Sequence, residues 1–247
     1  MTALTLPRTL ADPMEGVPAA VQTRRFLWPL LVLTLASAFA GAAFALRWDP
    51  APSILRQLEG SGQLKGMPEA ELTEQITTAG RLKLLTGIAG GLFGSPLVVL
   101  GIALVLALVG WLVGRKSPFV SLFTVAAVGM MPVALERTLW GAVAFWQLSL
   151  TEERAQHLLP ASVGAFVHGA GPKLMRLLDA LDVFHLWAAL LIGIGFASAT
   201  GLRRRTGLWL GLLFFVLFVA VFGVGVPGLV AVPGSPGGPG GGHGGAP

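Results

Sequence analysis

Apolar and polar residues follow one another along this chain in long blocks. From Phe26 to Leu46 no charged residue occurs. At 1.5 Å per residue a helix over that stretch is about 30 Å long, the thickness of a bilayer's hydrocarbon core. A second apolar run, Ile88 to Val113, is interrupted by Gly94-Ser95-Pro96. A full membrane helix is expected to begin near Pro96, with Leu84 to Phe93 as an interfacial lead-in, which puts the span at about 92–113. Phe119 to Leu148 is the third run, and Gly129 and Pro132 are expected to kink it. Val183 to Leu202 and Thr206 to Val226 are the fourth and fifth. The pattern predicts an all-α, polytopic integral membrane helical bundle with about five transmembrane helices, at about 26–46, 92–113, 119–148, 183–202 and 206–226.

Polar segments separate these runs. Residues 1–23, with Pro7, Pro13 and Pro18, read as a flexible N-terminal tail. Two long inserts, about 47–87 and 149–182, carry most of the acidic residues. In the first, Pro68-Glu69-Ala70-Glu71 looks like a helix start, with proline early and acids in the first turn. Leu72, Ile76 and Leu82 to Leu85 would lie on the membrane surface as an apolar stripe, or face solvent as part of a loop helix. Residues 227–247 are rich in Gly and Pro and are expected to be disordered, because such a composition cannot form a packed core. The first run is longer than the apolar part of a secretory signal, about 7–15 residues, and is taken as an uncleaved span. Ala-Gly-Ala-Ala near its end keeps cleavage possible.

Composition agrees with lipid as the solvent. Hydrophobic residues make up 54% and charged residues 12%, against about a quarter charged in soluble domains. The net charge of +5 does not point to nucleic acid, because the basic residues sit in short clusters beside the apolar runs, where they set membrane orientation. Arg24-Arg25, Arg115-Lys116 and Arg203-Arg204-Arg205 mark one side, which is expected to be cytoplasmic. The N-terminus is then inside, and five spans leave both inserts and the C-terminus outside. Cys and Tyr are absent. Thiolate chemistry is thereby excluded, and the Trp residues are expected to anchor the interfaces.

Catalytic motifs are not found: there is no phosphate-binding glycine loop, no G-x-S-x-G and no H-E-x-x-H. No catalytic residue, cofactor or metal is expected. Asp182, three residues before His185, is the one pairing at helical metal-site spacing, and alone it is weak. The third run is the only one with internal charges, Glu136 and Arg137. Seventeen residues from Phe119, Glu136 lies about 25 Å across. The fourth run enters from that side with Asp179, Asp182 and His185. These five are the candidate functional or structural polar cluster. Arg137 is expected to meet Asp182, and Glu136 to meet His185 or water. Snorkelling charges and a capping Asp182 are the plainer alternative. Gly87, Gly90, Gly91 and Gly94, with Gly193 and Gly195, have the spacing that lets helices approach closely, either within one chain or between two.

The C-terminal third carries a pattern: Leu181-Asp182-Val183-Phe184-His185-Leu186-Trp187, then Leu190-Leu191-Ile192-Gly193-Ile194-Gly195, a basic turn and a last apolar span. This resembles the bacterial branch of the Yip (Ypt-interacting protein) family, as does the order of spans and inserts, over about residues 24–226. Met131-Pro132 sits where the family tends to have a proline. The resemblance implies a five-span membrane domain. Eukaryotic relatives bind small GTPases through a long cytoplasmic N-terminus, and that property is not carried over to a segment of about 25 residues.

The expected function is non-enzymatic: envelope or membrane organisation through membrane lipids, other membrane proteins or self-association, in the bacterial cytoplasmic (inner) membrane. A small transporter, channel or lipid-translocating subunit is the alternative. Transporters commonly place broken or polar helices near the midplane in repeated halves. Only one run here carries charge, and no repeat is visible.

Overall fold

The computed structural model describes residues 12–223 except 65, 157, 168 and 170, and of 153, 156, 172, 173, 222 and 223 the backbone alone. Residues 1–11 and the Gly/Pro-rich segment 227–247 lie outside the described residues. The chain is an all-α bundle. Its helices are α1 (Pro13–Thr23), α2 (Leu27–Arg47), α3 (Ala51–Ser61), α4 (Glu69–Ala89), α5 (Ser95–Leu112), α6 (Phe119–Gly129), α7 (Met131–Trp146), α8 (Glu152–Gln156), α9 (Pro172–Ala180), α10 (Val183–Thr200) and α11 (Arg204–Gly223). Five helical stretches are long and apolar enough to cross a membrane: Leu27–Arg47, Glu69–Leu112, Phe119–Trp146, Val183–Thr200 and Arg204–Val221.

These spans are not equivalent. In the third and fourth, 67% and 56% of the apolar window is buried, against 28%, 17% and 22% in the first, second and fifth. The third and fourth therefore form the centre, and the other three turn leucines and aromatics outward, among them Leu35, Leu97, Leu104 and Leu217. Outside a bilayer such a surface would be untenable, and in lipid it is the natural one. Trp28, Trp111, Trp146 and Trp209 are exposed near span ends, as interfacial anchors are. Trp140 instead donates its Nε1 hydrogen to the Ala155 carbonyl at 3.1 Å, and Trp187 packs beside the central core, so not every tryptophan is an anchor.

The second span differs from its expected form. The helix is not interrupted at Gly94-Ser95-Pro96. It runs unbroken from Glu69 to Leu112, passing through a π-helical turn at Gly90–Gly94. Pro96 has no N–H and its ring would crowd the carbonyl of Leu92, and a wider turn just before it absorbs both problems without ending the helix. Residues 69–87 are thus the outer turns of span two rather than a separate surface or loop helix. The third span does break, at Met130. Pro132 lies in the first turn of α7, where its missing N–H costs nothing.

Glycine lets the outer helices come close. A Cβ on Gly87 would lie 2.7 Å from the Gly41 carbonyl oxygen, and one on Gly41 would strike the Gly87 carbonyl. Gly91 rests on Ala38 in the same way. On the other flank Gly193 abuts Gly207 and Gly211. Gly87, Gly91 and Gly193 therefore serve packing within the chain, and Gly195 packs on Val125 and Val17, while Gly90 and Gly94 face open space.

The largest departure is at the N-terminal end. Residues 13–23 are no flexible tail: they form α1, which packs on α6 and α10. Asp12 accepts from the Glu15 N–H at 3.4 Å and Pro13 occupies the first turn, a helix-start pair. Val17 and Ala20 are fully buried and Val21 nearly so, in one core with Leu106, Val125, Leu191 and Phe196. The three apolar positions fall on one face of a helix. Replacing Val17 with Asp should therefore cost about 3 kcal/mol or more, by burying an unpaired carboxylate, whereas Gln22→Asp on the exposed face should change stability by less than about 0.5 kcal/mol. Thermal unfolding in detergent micelles checks this, and equal effects of the two changes would mean that α1 is not packed.

Candidate functional site

The entry to the fourth span is held by backbone pairing before any side chain acts. The Val163 N–H donates to the Leu181 carbonyl at 3.1 Å and the Val183 N–H to the Ala161 carbonyl at 3.2 Å. This short bridge, Ser162 opposite Asp182, fixes where α10 starts. Asp182 is its N-cap. Oδ1 accepts from the Phe184 N–H at 2.7 Å and the His185 N–H at 3.1 Å, two donors that a helix start leaves without partners. His185 sits in the first turn, which brings its Nδ1 to 3.2 Å from the same oxygen. Its ring stacks on Phe218 of α11, with centroids 5.0 Å apart and an interplanar angle of 12°.

Glu136 reaches this place from α7. Its Oε2 lies 3.8 Å from His185 Nδ1, too far for a hydrogen bond. That oxygen is buried, and among the described residues nothing donates to it. Side-chain exposure is 18% for Glu136, 10% for Asp182 and 27% for His185. Two carboxylates and one imidazole therefore meet, mostly shielded from solvent, where the centre of the bundle meets its fifth span.

Three of the five candidate residues are brought together: Glu136, Asp182 and His185. The other two are not. Arg137, on the neighbouring position of α7, points outward and is exposed. Asp182 is engaged by the α10 backbone and His185, so the expected Arg137–Asp182 pair is not formed. Successive helix residues point about 100° apart, and one depth does not put Glu136 and Arg137 on one face. Asp179 belongs to α9, where the Ser162 hydroxyl donates to its Oδ1 at 3.5 Å. There it packs closely on Gly164 and helps fold the insert on itself.

A second polar contact had no signal in the sequence. Lys83 of α4 lies over the rings of Trp48 (4.7 Å) and Phe44 (5.1 Å) and pairs with Glu152 at 3.5 Å. Beside it, the Asp49 N–H donates to the Leu150 carbonyl at 3.0 Å and the Leu150 N–H to the Arg47 carbonyl at 2.7 Å. Arg47 also donates from Nε to the Phe145 carbonyl at 3.0 Å. These contacts join the ends of both inserts above the bundle. Their partners lie too far apart in the chain for any local pattern to show.

A family model described as the Yip1 domain matches residues 8–225 of the chain. Comparison with curated proteins and with solved structures gives no match.

Because one Asp182 oxygen caps the helix, Asp182→Ala should lower stability by about 1 kcal/mol. Asp182→Asn keeps a capping oxygen and removes a charge facing Glu136, so it should stay within about 0.5 kcal/mol of the wild type. Thermal unfolding in micelles distinguishes them. Equal losses would show that the carboxylate's charge, not its capping oxygen, matters.

Proposed function

The chain belongs to the Yip1-domain family and is a multi-pass membrane protein, and we propose that it is a non-enzymatic member that organises membranes through contacts with lipids and partner membrane proteins. The observation that carries this reading is the helix Glu69–Leu112. Its 44 residues extend about 66 Å, more than twice a hydrocarbon core. Lys83 lies level with Trp48, at the end of the first span. The turns before it, with Glu69, Glu71 and Glu74, therefore stand beyond that level as a polar stalk, and α4 has no buried residue. The same helix, past the π turn, turns most of its leucines to lipid. One continuous helix thus offers an apolar surface within the bilayer and a charged one outside it, which suits a scaffold better than a catalyst.

The short turns with Arg24-Arg25, Arg115-Lys116 and Arg203-Arg204-Arg205 support a cytoplasmic N-terminal side and an external stalk. The motif at Leu181–Trp187 supports the bacterial branch and the bacterial inner membrane. The second reading, a small transporter, channel or lipid-translocating subunit, is favoured by one observation: Glu136, Asp182 and His185 are ionisable groups held inside a span region, where such groups often mark a pathway.

Reconstitution separates the two. Full-length protein in vesicles of phosphatidylethanolamine and phosphatidylglycerol should change vesicle size and shape with increasing protein content, as seen by electron cryomicroscopy. Release of a trapped dye and exposure of an inner-leaflet fluorescent lipid should match protein-free vesicles. Protein-dependent release or lipid scrambling, with shape unchanged, would replace the scaffold reading with the transport one.

A further inference from the structure

We propose that Glu136, Asp182 and His185 form a binding site for one divalent first-row transition cation, with zinc as the representative ion, tying the third span to the mouth of the fourth. This departs from the sequence-based expectation of no metal: the sequence groups Glu136 with Asp182 and His185 as a polar cluster, but only the Asp182–His185 pair has metal-site spacing there. One atom from each of the three residues lies within 4.8 Å of the others. His185 Nδ1 stands 3.2 Å from Asp182 Oδ1 and 3.8 Å from Glu136 Oε2. Ligands about 2.0–2.2 Å from a common zinc ion are separated by roughly 3.0–3.6 Å, so His185 Nδ1 and Asp182 Oδ1 already stand at ligand spacing, and the Glu136 carboxylate must move inward to join them.

The second observation is the state of Glu136. Its Oε2 is buried and without a hydrogen-bond donor, yet it faces an imidazole nitrogen just beyond hydrogen-bond reach. A buried carboxylate oxygen is ordinarily satisfied. Here the missing partner would be a positive centre between it and Nδ1. Charge balances in the bound state: metal ligands bind as carboxylates and neutral imidazole, so this set would carry −2, which a divalent ion cancels. An all-oxygen ion such as magnesium or calcium makes poor use of an imidazole, whereas zinc, manganese or cobalt accept a nitrogen and two oxygens with a water completing the shell. The backbone donors that hold Asp182 and the Phe218 ring that holds His185 orient both ligands from behind, as outer-shell groups do. His185 is partly exposed, which leaves a route of entry.

The test uses the full chain, purified without a polyhistidine tag and placed in lipid nanodiscs, with zinc as the probe. Equilibrium dialysis should give one zinc per chain. Glu136→Gln and His185→Gln should each weaken binding by at least about tenfold, since loss of even an outer-shell partner costs that much. Glu152→Gln, at the Lys83 contact, should leave it unchanged. X-ray absorption on the wild type gives an answer even if a variant fails to fold. It should show a shell of nitrogen and oxygen with a single imidazole, although the chain holds 4 histidines. No bound zinc, binding unaltered in Glu136→Gln and His185→Gln, or two or more imidazoles on the ion would overturn the proposal.

Discussion

Helices in a bilayer gain little by turning one apolar side chain rather than another toward a neighbour, because lipid tails are as apolar as leucine. What holds them is the dispersion gained when two backbones come close, and only small residues permit that. The structure depends on this constraint. Gly41 against Gly87, Gly91 against Ala38, and Gly193 against Gly207 and Gly211 bring α2 to α4 and α10 to α11. These contacts let span two keep most of its surface for lipid and still be fixed in place. Gly91, which rests on Ala38, places one of these contacts within the π turn itself.

Polar groups do the remaining positioning, at two levels. Above the bundle, the Arg47–Leu150–Asp49 backbone pairing and the Lys83 contacts tie the two inserts together. At the fourth span, Asp182 caps α10, and its partner His185 faces Glu136 of the third span and Phe218 of the fifth. A cap, an imidazole stack and a carboxylate pair thus meet at the point where three spans converge. Ordinary packing needs no such convergence, and it sets this place apart from the rest of the bundle.

The bundle was legible in the sequence because lipid imposes a length and a composition on each span, and the long apolar runs display both. The family was legible in Leu181–Trp187. Other features were not, for physical reasons that differ. At Pro96 the rule that proline ends a helix met a device, the π turn, that satisfies proline without ending anything. In α1, Pro13 and Pro18 suggested disorder, yet Asp12-Pro13 is also a helix start and Val17, Ala20 and Val21 share a face; burial outweighed the proline at 18. Arg137 was placed with Asp182 from depth alone, and depth does not fix the side of the helix on which a residue lies. Lys83 could not be read at all, since its aromatic and acidic partners come from distant segments.

If close backbone contact positions the spans, the same substitution must act with opposite sign at two glycines. In helical peptides alanine is favoured over glycine by about 1 kcal/mol. At Gly101, where an added Cβ meets nothing within 4 Å, Gly101→Ala should raise the unfolding midpoint of the protein in lipid nanodiscs. At Gly41, where a Cβ would strike the Gly87 carbonyl, Gly41→Ala should lower it despite the better helix former. A rise at both positions would contradict the account.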